Sequence, residues 1–422
     1  LILNGLHPAE IARLLESSPS RQRRLIWEML DHENDGEVLL EVGEEVRNNL
    51  MESMDDESLL AATKGLDIDD LADLLDELPE TVVKQALKGM DYQYRTRLEG
   101  VMNYDEDTAG GLMNTDTITI RPDVTLDVVL KYLRLRKEMP QNTDNIIVVD
   151  RYNHYLGTLS VTALLCADPE KTVSESMDND YISINADTLA NEVTNIFEDR
   201  DLVSAPVVDK NNILLGRITI DDVVDVIREE SEHTVLNMAG LTDEEDIFAP
   251  VLPSTRRRAI WLGINLLTAL IASGVISLFQ ETIEQVVALA VLMPIVASMG
   301  GIAGSQTLTL VIRGIALGNI SSTNSKSLLV KEISIGLLNS LLWACVIGVL
   351  SSYWFNNYLI GVVIGIAMIA NLGFAALSGV LIPIMLKRIG VDPALGGGVI
   401  LTTITDVIGF SSFLALGTIF LL

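Results

Sequence analysis

Residues 393–422 read PALGGGVILTTITDVIGFSSFLALGTIFLL, a stretch of 30 residues whose only charged side chain is Asp406. A helix needs about 20 apolar residues to cross the hydrocarbon core of a bilayer, so this stretch is long enough to span one. A carboxylate at such a depth costs several kcal/mol unless it is paired or hydrated, and it therefore marks a functional site. The alternative is a protonated Asp406 that bonds a neighbouring helix.

Three further runs without charge precede this stretch: Ala259–Gln280 with 22 residues, Gln285–Ile312 with 28 and Ile333–Leu386 with 54. The third run is too long for one helix, and the polar pair Asn356 and Asn357 lies inside it. We therefore predict two helices there and five spans in all. Buried helices of a soluble domain would not need runs of this length.

The basic residues of the hydrophobic half occur in alternate connections between the predicted spans. They are Arg256, Arg257 and Arg258 before span one, Arg313, Lys326 and Lys331 between spans two and three, and Lys387 and Arg388 between spans four and five. The two other connections contain no Lys or Arg. Because cytosolic loops carry the excess of basic residues, this pattern predicts a cytosolic N-terminus and a C-terminus outside the cell.

The charge of the chain divides near residue 255. The 422 residues carry a formal charge of −29, of which −32 falls on residues 1–255 and +3 on residues 256–422. An acid excess of this size argues against nucleic-acid binding, because a phosphate backbone needs Lys and Arg to displace its counterions. With only Cys166 and Cys345, neither a disulfide framework nor a CxxC metal site is expected. The composition predicts an acidic cytosolic part followed by a membrane part.

An internal repeat occupies the acidic part. Met113–Ile120 reads MNTDTITI and matches Met177–Ile184, which reads MDNDYISI, and Ile147–Asp150 likewise matches Pro206–Asp209. Each copy is predicted to fold as strand, helix, strand, turn, strand and helix. This order of elements, present twice, resembles a tandem pair of CBS domains.

The resemblance to CBS domains implies a nucleotide site in the second copy. CBS modules that bind ATP or another adenine nucleotide place a Ser or Thr against the ribose and phosphates, with an Asp three residues later. The second copy has Thr219 and Asp222 in this frame, whereas the first has Ser160 and Ala163 and so lacks the acid. The alternative for Thr219 and Asp222 is a helix N-terminus with a capping Thr and an acidic first turn.

The first 110 residues are predicted to form a stack of short helices. Ile11–Pro19 resembles Leu71–Pro79, the apolar residues have helical spacing, and each copy ends at a Pro. Asp31–Gly36 resembles the start of an EF-hand loop, but Val42 stands where the bidentate Glu would be, so a turn is predicted there.

Six acids lie within twelve residues at the end of the second repeat: Asp221, Asp222, Asp225, Glu229, Glu230 and Glu232. Asp225 and Glu229 are four residues apart, so their like charges would repel on one face of a helix. One interpretation of the acids is a solvated face. The other is a cation sensor, in which a divalent ion bridges carboxylates of different domains and its loss lets the domains separate.

Two motifs and the order of the parts resemble the MgtE family of magnesium channels and transporters, over essentially the full chain. Tyr104–Met113, which reads YDEDTAGGLM, resembles the family segment that enters the first CBS repeat. Gly390–Leu395 followed by Thr403–Asp406 resembles the signature of the fifth span. The second span departs from the family, because Gly300–Gln306 reads GGIAGSQ and lacks two amide side chains.

The resemblance implies a multi-domain fold, with an α-helical N-domain, an α/β tandem CBS module and an all-α five-helix membrane domain. The expected parts are the N-domain at 1–110, the CBS repeats at 111–172 and 173–232, an acidic connecting (plug) helix at 233–255, and the five-span membrane domain at 256–422.

The resemblance also implies roles for individual residues. It implies a homodimer whose pore runs between the two membrane halves, with Asp406 facing a hydrated Mg²⁺. The acids that match the family's cytosolic Mg²⁺ sites are Asp201, Asp222, Asp225 and Glu230. The plug helix would close the pore when cytosolic Mg²⁺ is high, and here His233 and Thr234 stand where the family has further acids.

We therefore expect a channel for Mg²⁺ uptake in the cytoplasmic membrane, with membrane lipid, Mg²⁺ and a second copy of the chain as partners. The oxygen-only ligands of the membrane part suit a hard cation. The alternatives are a transporter of another divalent cation such as Co²⁺ or Mn²⁺, an ion-coupled exchanger, and a nucleotide sensor built on the CBS module. An enzyme is not expected, because the sequence contains no nucleophile–base set and no catalytic metal cluster.

Overall fold

The computed structural model describes residues 3–30, 35–136, 139–241, 246–320 and 323–422. The chain divides into two compact units. The first contains Leu1–Ser231 and Glu244–Ala249, and the second contains Glu232–Asp243 and Pro250–Leu422. Most of the turn predicted at Asp31–Gly36 lies outside the described residues, and a helix begins at Asp35.

A short 3₁₀ turn, Leu3–Gly5, and eight helices open the first unit. The helices are α1 (Pro8–Glu16), α2 (Ser20–Trp27), α3 (Asp35–Glu41), α4 (Glu44–Met51), α5 (Asp56–Ala62), α6 (Ile68–Glu77), α7 (Glu80–Gly89) and α8 (Tyr92–Val101). The predicted helical repeat corresponds to α1 and α6, which end shortly before Pro19 and Pro79. The helical spacing places Leu15, Leu71 and Leu75 on inward faces, where they are almost completely buried.

The two CBS repeats follow in the order predicted from the sequence. The first comprises β1 (Thr119–Ile120), α9 (Leu126–Arg136), β2 (Asn145–Val149), β3 (Tyr155–Ser160) and α10 (Val161–Cys166). After a short α11 (Val173–Ser176), the second comprises β4 (Ile184–Asn185), α12 (Ala190–Arg200), β5 (Ser204–Val208), β6 (Leu214–Thr219) and α13 (Ile220–Met238). Each repeat forms a three-stranded sheet with one parallel and one antiparallel pair.

The second CBS repeat shares its hydrophobic core with the N-terminal helices. Phe197 and Ile218 of the repeat belong to the same buried cluster as Leu71, Leu75 and other apolar residues of the N-terminal helices. The first repeat has a separate core around Ile146, which is fully buried. The start of α6 is thereby held close to the second repeat, which positions the acidic site described below.

The second unit includes the last turns of α13. Its described residues form six further helices: α14 (Val251–Ser277), α15 (Gln280–Gln285), α16 (Val287–Ala316), α17 (Ser325–Trp354), α18 (Tyr358–Arg388) and α19 (Pro393–Leu421). All except α15 are long and apolar enough to cross a membrane, which confirms the prediction of five spans. Helix α18 packs against α16, α17 and α19 and is the most buried of the five.

The connecting segment differs from the single helix predicted over 233–255. In its described part, α13 continues from the second CBS repeat to Met238, and α14 begins at Val251. Gly240 ends α13 because its φ of +71° suits a glycine, and the backbone N–H groups of Gly240 and Leu241 donate to the carbonyls of Asn237 and Leu236. The helical pattern of charges did not reveal this stop.

Candidate functional sites: a membrane carboxylate and an acidic cluster

Asp406 lies near the middle of α19 and is partly buried. Within the described part of the chain its carboxylate has no hydrogen bond and no ion pair. The hydroxyls of Thr402 and Thr403 donate instead to the carbonyls of Gly398 and Val399 in their own helix, at 3.0 and 2.7 Å. The bond to a neighbouring helix that the alternative interpretation of Asp406 requires is therefore not formed within these residues.

The polar residues of the second span divide between the surface and the interior of the second unit. Ser305 and Gln306 on α16 are exposed, whereas Gly304 packs against Leu401 of α19. The small side of α16 therefore lets α19 approach closely. The hydroxyl of Ser305 and the amide of Gln306 stay exposed beside this contact.

Asn371 of α18 joins two membrane helices in the core of the second unit. The side chain is fully buried, and its Nδ2 donates a 2.8 Å hydrogen bond to the carbonyl of Val296 on α16. Gly300 and Gly409 provide its space, because a Cβ on Gly300 would collide with the amide and one on Gly409 would lie 2.8 Å from Nδ2. Asn371 is therefore a packing residue between α16, α18 and α19.

A cluster of carboxylates occurs at the start of α6. The oxygens of Asp67, Asp69 and Asp70 lie within 4.8 Å of one another, and Asp69 is only 9% exposed. Asn114 donates from Nδ2 to Asp69 Oδ1 at 3.3 Å. Acids in a first helical turn are favoured by the helix dipole, which explains their presence in the sequence but not why Asp69 is buried while Asp67 and Asp70 stay exposed.

The acids at the start of α13 face this cluster. Asp222 Oδ2 accepts hydrogen bonds from the backbone N–H and hydroxyl of Thr219, at 3.0 and 3.1 Å, and the hydroxyl also contacts Asp221. Asp222 thus forms half of a capping box at the N-terminus of α13. Burial, and then repulsion from Asp222, raises the pKa of Asp69 to about 8. Burial likewise raises the pKa of Asp222 to about 7, with Asp221 and Asp70 adding to the rise.

Nearby basic side chains offset part of this negative charge, since against the larger effect of desolvation Arg217 lowers the pKa of Asp67 and Arg228 lowers the pKa of Asp225. Arg217 is buried, and its guanidinium donates to the carbonyl of Gln141 at 2.6 Å and to the hydroxyl of Thr143 at 3.2 Å. Arg47 pairs with Glu77. The carboxylate oxygens of Asp67, Asp69 and Asp70 lie within 4.8 Å of one another, and such a set of oxygen ligands suits a hard divalent cation.

Two of the four predicted sensor residues, Asp222 and Asp225, lie close enough to the acids of α6 to add to the rise in their pKa values. Burial also raises the pKa of Asp225, and Asp225 contributes to the raised pKa of Asp70. Asp201 instead ends α12 in a left-handed conformation with φ of +51°, and Glu230 is exposed along α13. Neither Asp201 nor Glu230 is brought to the cluster in the described structure.

Sequence reasoning missed the acids that α6 contributes, which are Asp67, Asp69, Asp70 and Asp73. Burial raises the pKa of Asp73 to about 7, with Glu106 adding to the rise. The stretch DIDDLADLLDE has the pattern of an ordinary amphipathic helix with an acidic first turn. The usable signal in this stretch was the density of acids at the start of a predicted helix. The sequence did not show which element that helix would contact.

The sequence matches known families along most of its length. Residues 6–107 match the MgtE intracellular N domain, and residues 109–170 and 173–229 match the CBS domain. Residues 293–416 match the MgtE family of divalent cation transporters. Together with the five membrane helices, these matches define a multi-pass membrane transporter of divalent cations.

Similar proteins specify the family. The magnesium transporter MgtE of Thermus thermophilus is 30% identical over 425 aligned positions, which cover 100% of this chain and 94% of the relative. The magnesium transporter MgtE of Bacillus subtilis is 28% identical, with 100% and 93% covered. The chain belongs to the MgtE family of magnesium transporters. A solved structure, the cytosolic domain of the Mg²⁺ channel MgtE in complex with ATP, is 29% identical and covers 53% of this chain and 92% of its own, with a TM-score of 0.49.

Proposed function

We propose that this chain takes up Mg²⁺ across the cytoplasmic membrane through a pore that contains Asp406. The inside-negative membrane potential supplies about 2.3 kcal/mol per elementary charge for each 100 mV, and twice that for a divalent ion, so uptake needs no other energy source. The observation that carries the proposal is the partly buried Asp406 carboxylate, which has no partner among the described residues and lies within a membrane helix.

The ion path is proposed to run through a homodimer. One carboxylate neutralises half of a divalent charge, whereas two copies of Asp406 neutralise all of it. Mg²⁺ sheds its water reluctantly, so a pore that accepts the hydrated ion suits its chemistry. Exposed apolar side chains of the first unit support a second copy: Val128, Tyr132 and Leu135 lie on one face of α9 and are 50%, 44% and 81% exposed.

The orientation is proposed from the basic residues. Arg313 lies in the last turn of α16, and Lys387 and Arg388 lie in the last turn of α18. These ends would face the cytosol under the positive-inside rule, as would the start of α14 with its three consecutive Arg residues. The N-terminal unit then lies in the cytosol, and the C-terminus lies outside.

Closure of the pore is proposed to follow from Mg²⁺ binding at the acidic cluster between α6 and α13. In the absence of cations, burial and then repulsion from neighbouring carboxylates raise the pKa values of Asp69 and Asp222, so protons compete with a cation for the same carboxylates. A bound Mg²⁺ would replace those protons and add an ionic bridge between α6 and α13 to the hydrophobic core that the N-terminal helices and the second CBS repeat already share. A ligand that prefers the compact arrangement shifts the population towards it, and α13 would transmit that shift along the chain.

Ion flux in liposomes tests the pore. We would compare the wild type with Asp406→Ala and Asp406→Asn under an inside-negative potential, with Glu281→Gln as a control for loss of an exposed acid. Both Asp406 variants are expected to lose at least about tenfold in Mg²⁺ influx, because a divalent ion in low dielectric depends on that charge. Unchanged influx in Asp406→Ala would remove Asp406 from the ion path.

The same liposomes test the closure. Raising internal Mg²⁺ is expected to suppress influx in the wild type, and Asp69→Asn combined with Asp222→Asn should raise the half-inhibiting concentration roughly 5- to 150-fold. The control is Asp56→Asn combined with Asp123→Asn, which removes two exposed acids of the same unit. Equal inhibition in both double variants would contradict a sensor at the cluster.

A second candidate function is the transport of a wider range of divalent cations. Ile302 and Ser305 stand in the second span where the family pattern has amide side chains, and both are exposed. Fewer amide groups would relax discrimination between Mg²⁺ and ions such as Co²⁺ or Mn²⁺. Influx of each ion, measured separately in the same liposomes, distinguishes a selective from a broad transporter.

Binding of ATP or another adenine nucleotide at Thr219 and Asp222 remains a prediction. Asp222 already accepts two hydrogen bonds from Thr219, and the carboxylates around it would repel a phosphate. Calorimetric titration of ATP into the full chain tests this site. Binding that is lost in Thr219→Val would support the nucleotide site, and the absence of binding would leave the N-cap as the role of this pair.

A further inference from the structure

A groove with a volume of about 450 Å³ lies between the end of α16 and the start of α17. Its walls combine two basic side chains, Arg313 and Lys331, with polar groups such as Ser327 and apolar groups such as Leu310 and Leu328. No acidic residue lines the groove in the described part of the chain. The groove therefore joins a positively charged end to an apolar wall.

The sequence builds this groove through the turn that follows α16. Gly318 ends the helix with a φ of +65°, and the backbone N–H of Ile320 then donates to the carbonyl of Gly314 at 3.1 Å. A Cβ on Gly314 would lie 2.7 Å from the Ile320 side chain, so the turn folds tightly back on the helix. Asn324 donates to the carbonyl of Asn319 at 2.7 Å and holds the other side of the turn.

In the part of the chain that the structure describes, carboxylates neutralise little of the positive charge on the basic side chains of the groove. Arg313 has no carboxylate partner among the described residues, and Lys331 is 62% exposed. The next residue in the chain after Lys331 is an acid, Glu332, which is buried and accepts a 3.4 Å hydrogen bond from Thr307. Its other oxygen lies 3.6 Å from the Lys331 ammonium, so it offsets only part of the positive charge.

The apolar wall favours an occupant that is itself partly apolar. Leu310 and Leu317 leave about half of their surface exposed beside Arg313, although both belong to the end of a membrane helix. An occupant that satisfies both halves of the groove has an anionic group joined to a hydrocarbon chain. Basic pockets between membrane helices on the cytosolic side are suited to lipid headgroups of this kind.

We propose that this groove binds an anionic phospholipid, with the headgroup phosphate between Arg313 and Lys331 and an acyl chain along Leu310 and Leu328. The lipid would come from the cytosolic leaflet, so this inference rests on the orientation proposed above. Arg313 presents a planar fork of donors that matches phosphate oxygens, and Lys331 adds a mobile point charge.

Native mass spectrometry of the purified full chain tests the proposal without measuring transport. Phosphatidylglycerol and phosphatidylcholine with the same acyl chains are added separately, and the bound fraction of each is measured. The wild type is expected to prefer phosphatidylglycerol, and Arg313→Gln combined with Lys331→Gln should lose about thirtyfold in that affinity, since each basic residue contributes about 1 kcal/mol near anionic lipid.

The matched control is Lys387→Gln combined with Arg388→Gln, which removes the same charge from the exposed end of α18. It should keep the preference for phosphatidylglycerol, and an equal loss in both double variants would overturn the proposal. The exchange Arg313→Lys with Lys331→Arg should also keep the preference. Its loss in monodisperse protein would show that positive charge at the groove is not the determinant.

Competition distinguishes the source of the phosphate. Excess inorganic phosphate should fail to displace phosphatidylglycerol from the wild type, because it cannot occupy the apolar wall. Displacement by inorganic phosphate would overturn the lipid assignment in favour of a site for the free anion. Since lipid binding is measured directly, a protein that fails to transport Mg²⁺ would still report on the groove.

Discussion

The carboxamide of Asn237 donates a hydrogen bond of 2.8 Å to Asp392, and Asn237 is only 5% exposed. The other carboxylate oxygen of Asp392 accepts from the backbone of Ala394 at 2.9 Å and so caps α19. Because α19 carries Asp406, the last turns of α13 are tied to the start of the helix that holds the proposed pore carboxylate.

Because of this hydrogen bond, a substitution of Asn237 tests whether Mg²⁺-dependent closure reaches the pore through α13 and α19. Asn237→Ala leaves Asp392 as a helix cap but removes its bond to α13. A hydrogen bond to a charged group contributes about 1.5–3 kcal/mol, so the internal Mg²⁺ needed for half-inhibition is expected to rise roughly tenfold or more. Graded internal Mg²⁺ in liposomes measures this shift.

The control for Asn237→Ala lies on the same helix. Ser231 is exposed and donates to the carbonyl of Ile227 in its own helix, so Ser231→Ala should leave the inhibition curve in place. An unshifted curve for Asn237→Ala would mean that closure does not pass through the link between α13 and α19.

Two adjacent glycines of α16 give a second matched test. A Cβ on Gly300 would collide with the buried amide of Asn371, whereas one on Gly301 would meet nothing within 4 Å. Gly300→Ala is therefore expected to destabilise the helix packing by about 1–3 kcal/mol, and Gly301→Ala should have little effect. Thermal unfolding of both variants in detergent checks this, and equal midpoints would contradict the packing role of Asn371.

The features that sequence analysis predicted are those that depend on short segments. The five spans followed from the length of uncharged runs, and the CBS order followed from the match between Met113–Ile120 and Met177–Ile184. These signals can be read locally, because bilayer thickness sets the length of each span and the alternation of side chains along a strand lies within that strand. The end of α13 escaped prediction, since Gly240 is a weak signal within a helical pattern.

The missed parts of the sites depend on contacts between distant segments. Asp69 and Asp222 are separated by more than a hundred residues, and only the shared core of the N-terminal helices and second CBS repeat brings them together. Asn371 is an ordinary polar residue in sequence, and its role requires the space left by Gly300 and Gly409. Neither relationship has a periodicity or spacing that one sequence displays.

A buried ion pair in the first unit supports a prediction about stability. Arg23 donates to both oxygens of Asp246, at 2.8 and 3.1 Å, and its Nε donates to the carbonyl of Leu15 at 2.9 Å. Both side chains are almost completely buried. Breaking such a pair typically costs about 3–5 kcal/mol, because a buried charge loses its partner.

The variant Arg23→Ala is therefore expected to lower the unfolding midpoint of the first unit by several degrees in the full-length protein. Arg24→Ala is the matched control, since the neighbouring Arg24 is exposed on the same helix. Scanning calorimetry measures both midpoints. If the two variants unfold at the same temperature, the pair between Arg23 and Asp246 does not stabilise the attachment of residues 246–249 to α2.

The acidic cluster predicts how stability depends on pH when divalent cations are absent. Asp69 has an ordinary pKa of 3.8 when unfolded and a pKa of about 8 in the folded chain, and the pKa of Asp222 rises to about 7. At pH values between the unfolded and folded pKa values, the folded state keeps protons that the unfolded state has released. Stability therefore falls as pH rises from about 4 to about 8, which is the reverse of the effect of a salt-bridged carboxylate.

Unfolding midpoints of the full chain in chelator should consequently decrease from about pH 6 to about pH 8, by about 2–4 °C for each kcal/mol lost in a domain of this size. Asp69→Asn removes a titrating group and should flatten the decrease, whereas the exposed Asp56→Asn should not. Because Mg²⁺ replaces protons on the same oxygens, it should raise the midpoint more at the higher pH. A midpoint independent of pH, with or without Mg²⁺, would mean that the carboxylates of α6 and α13 do not share one cation site.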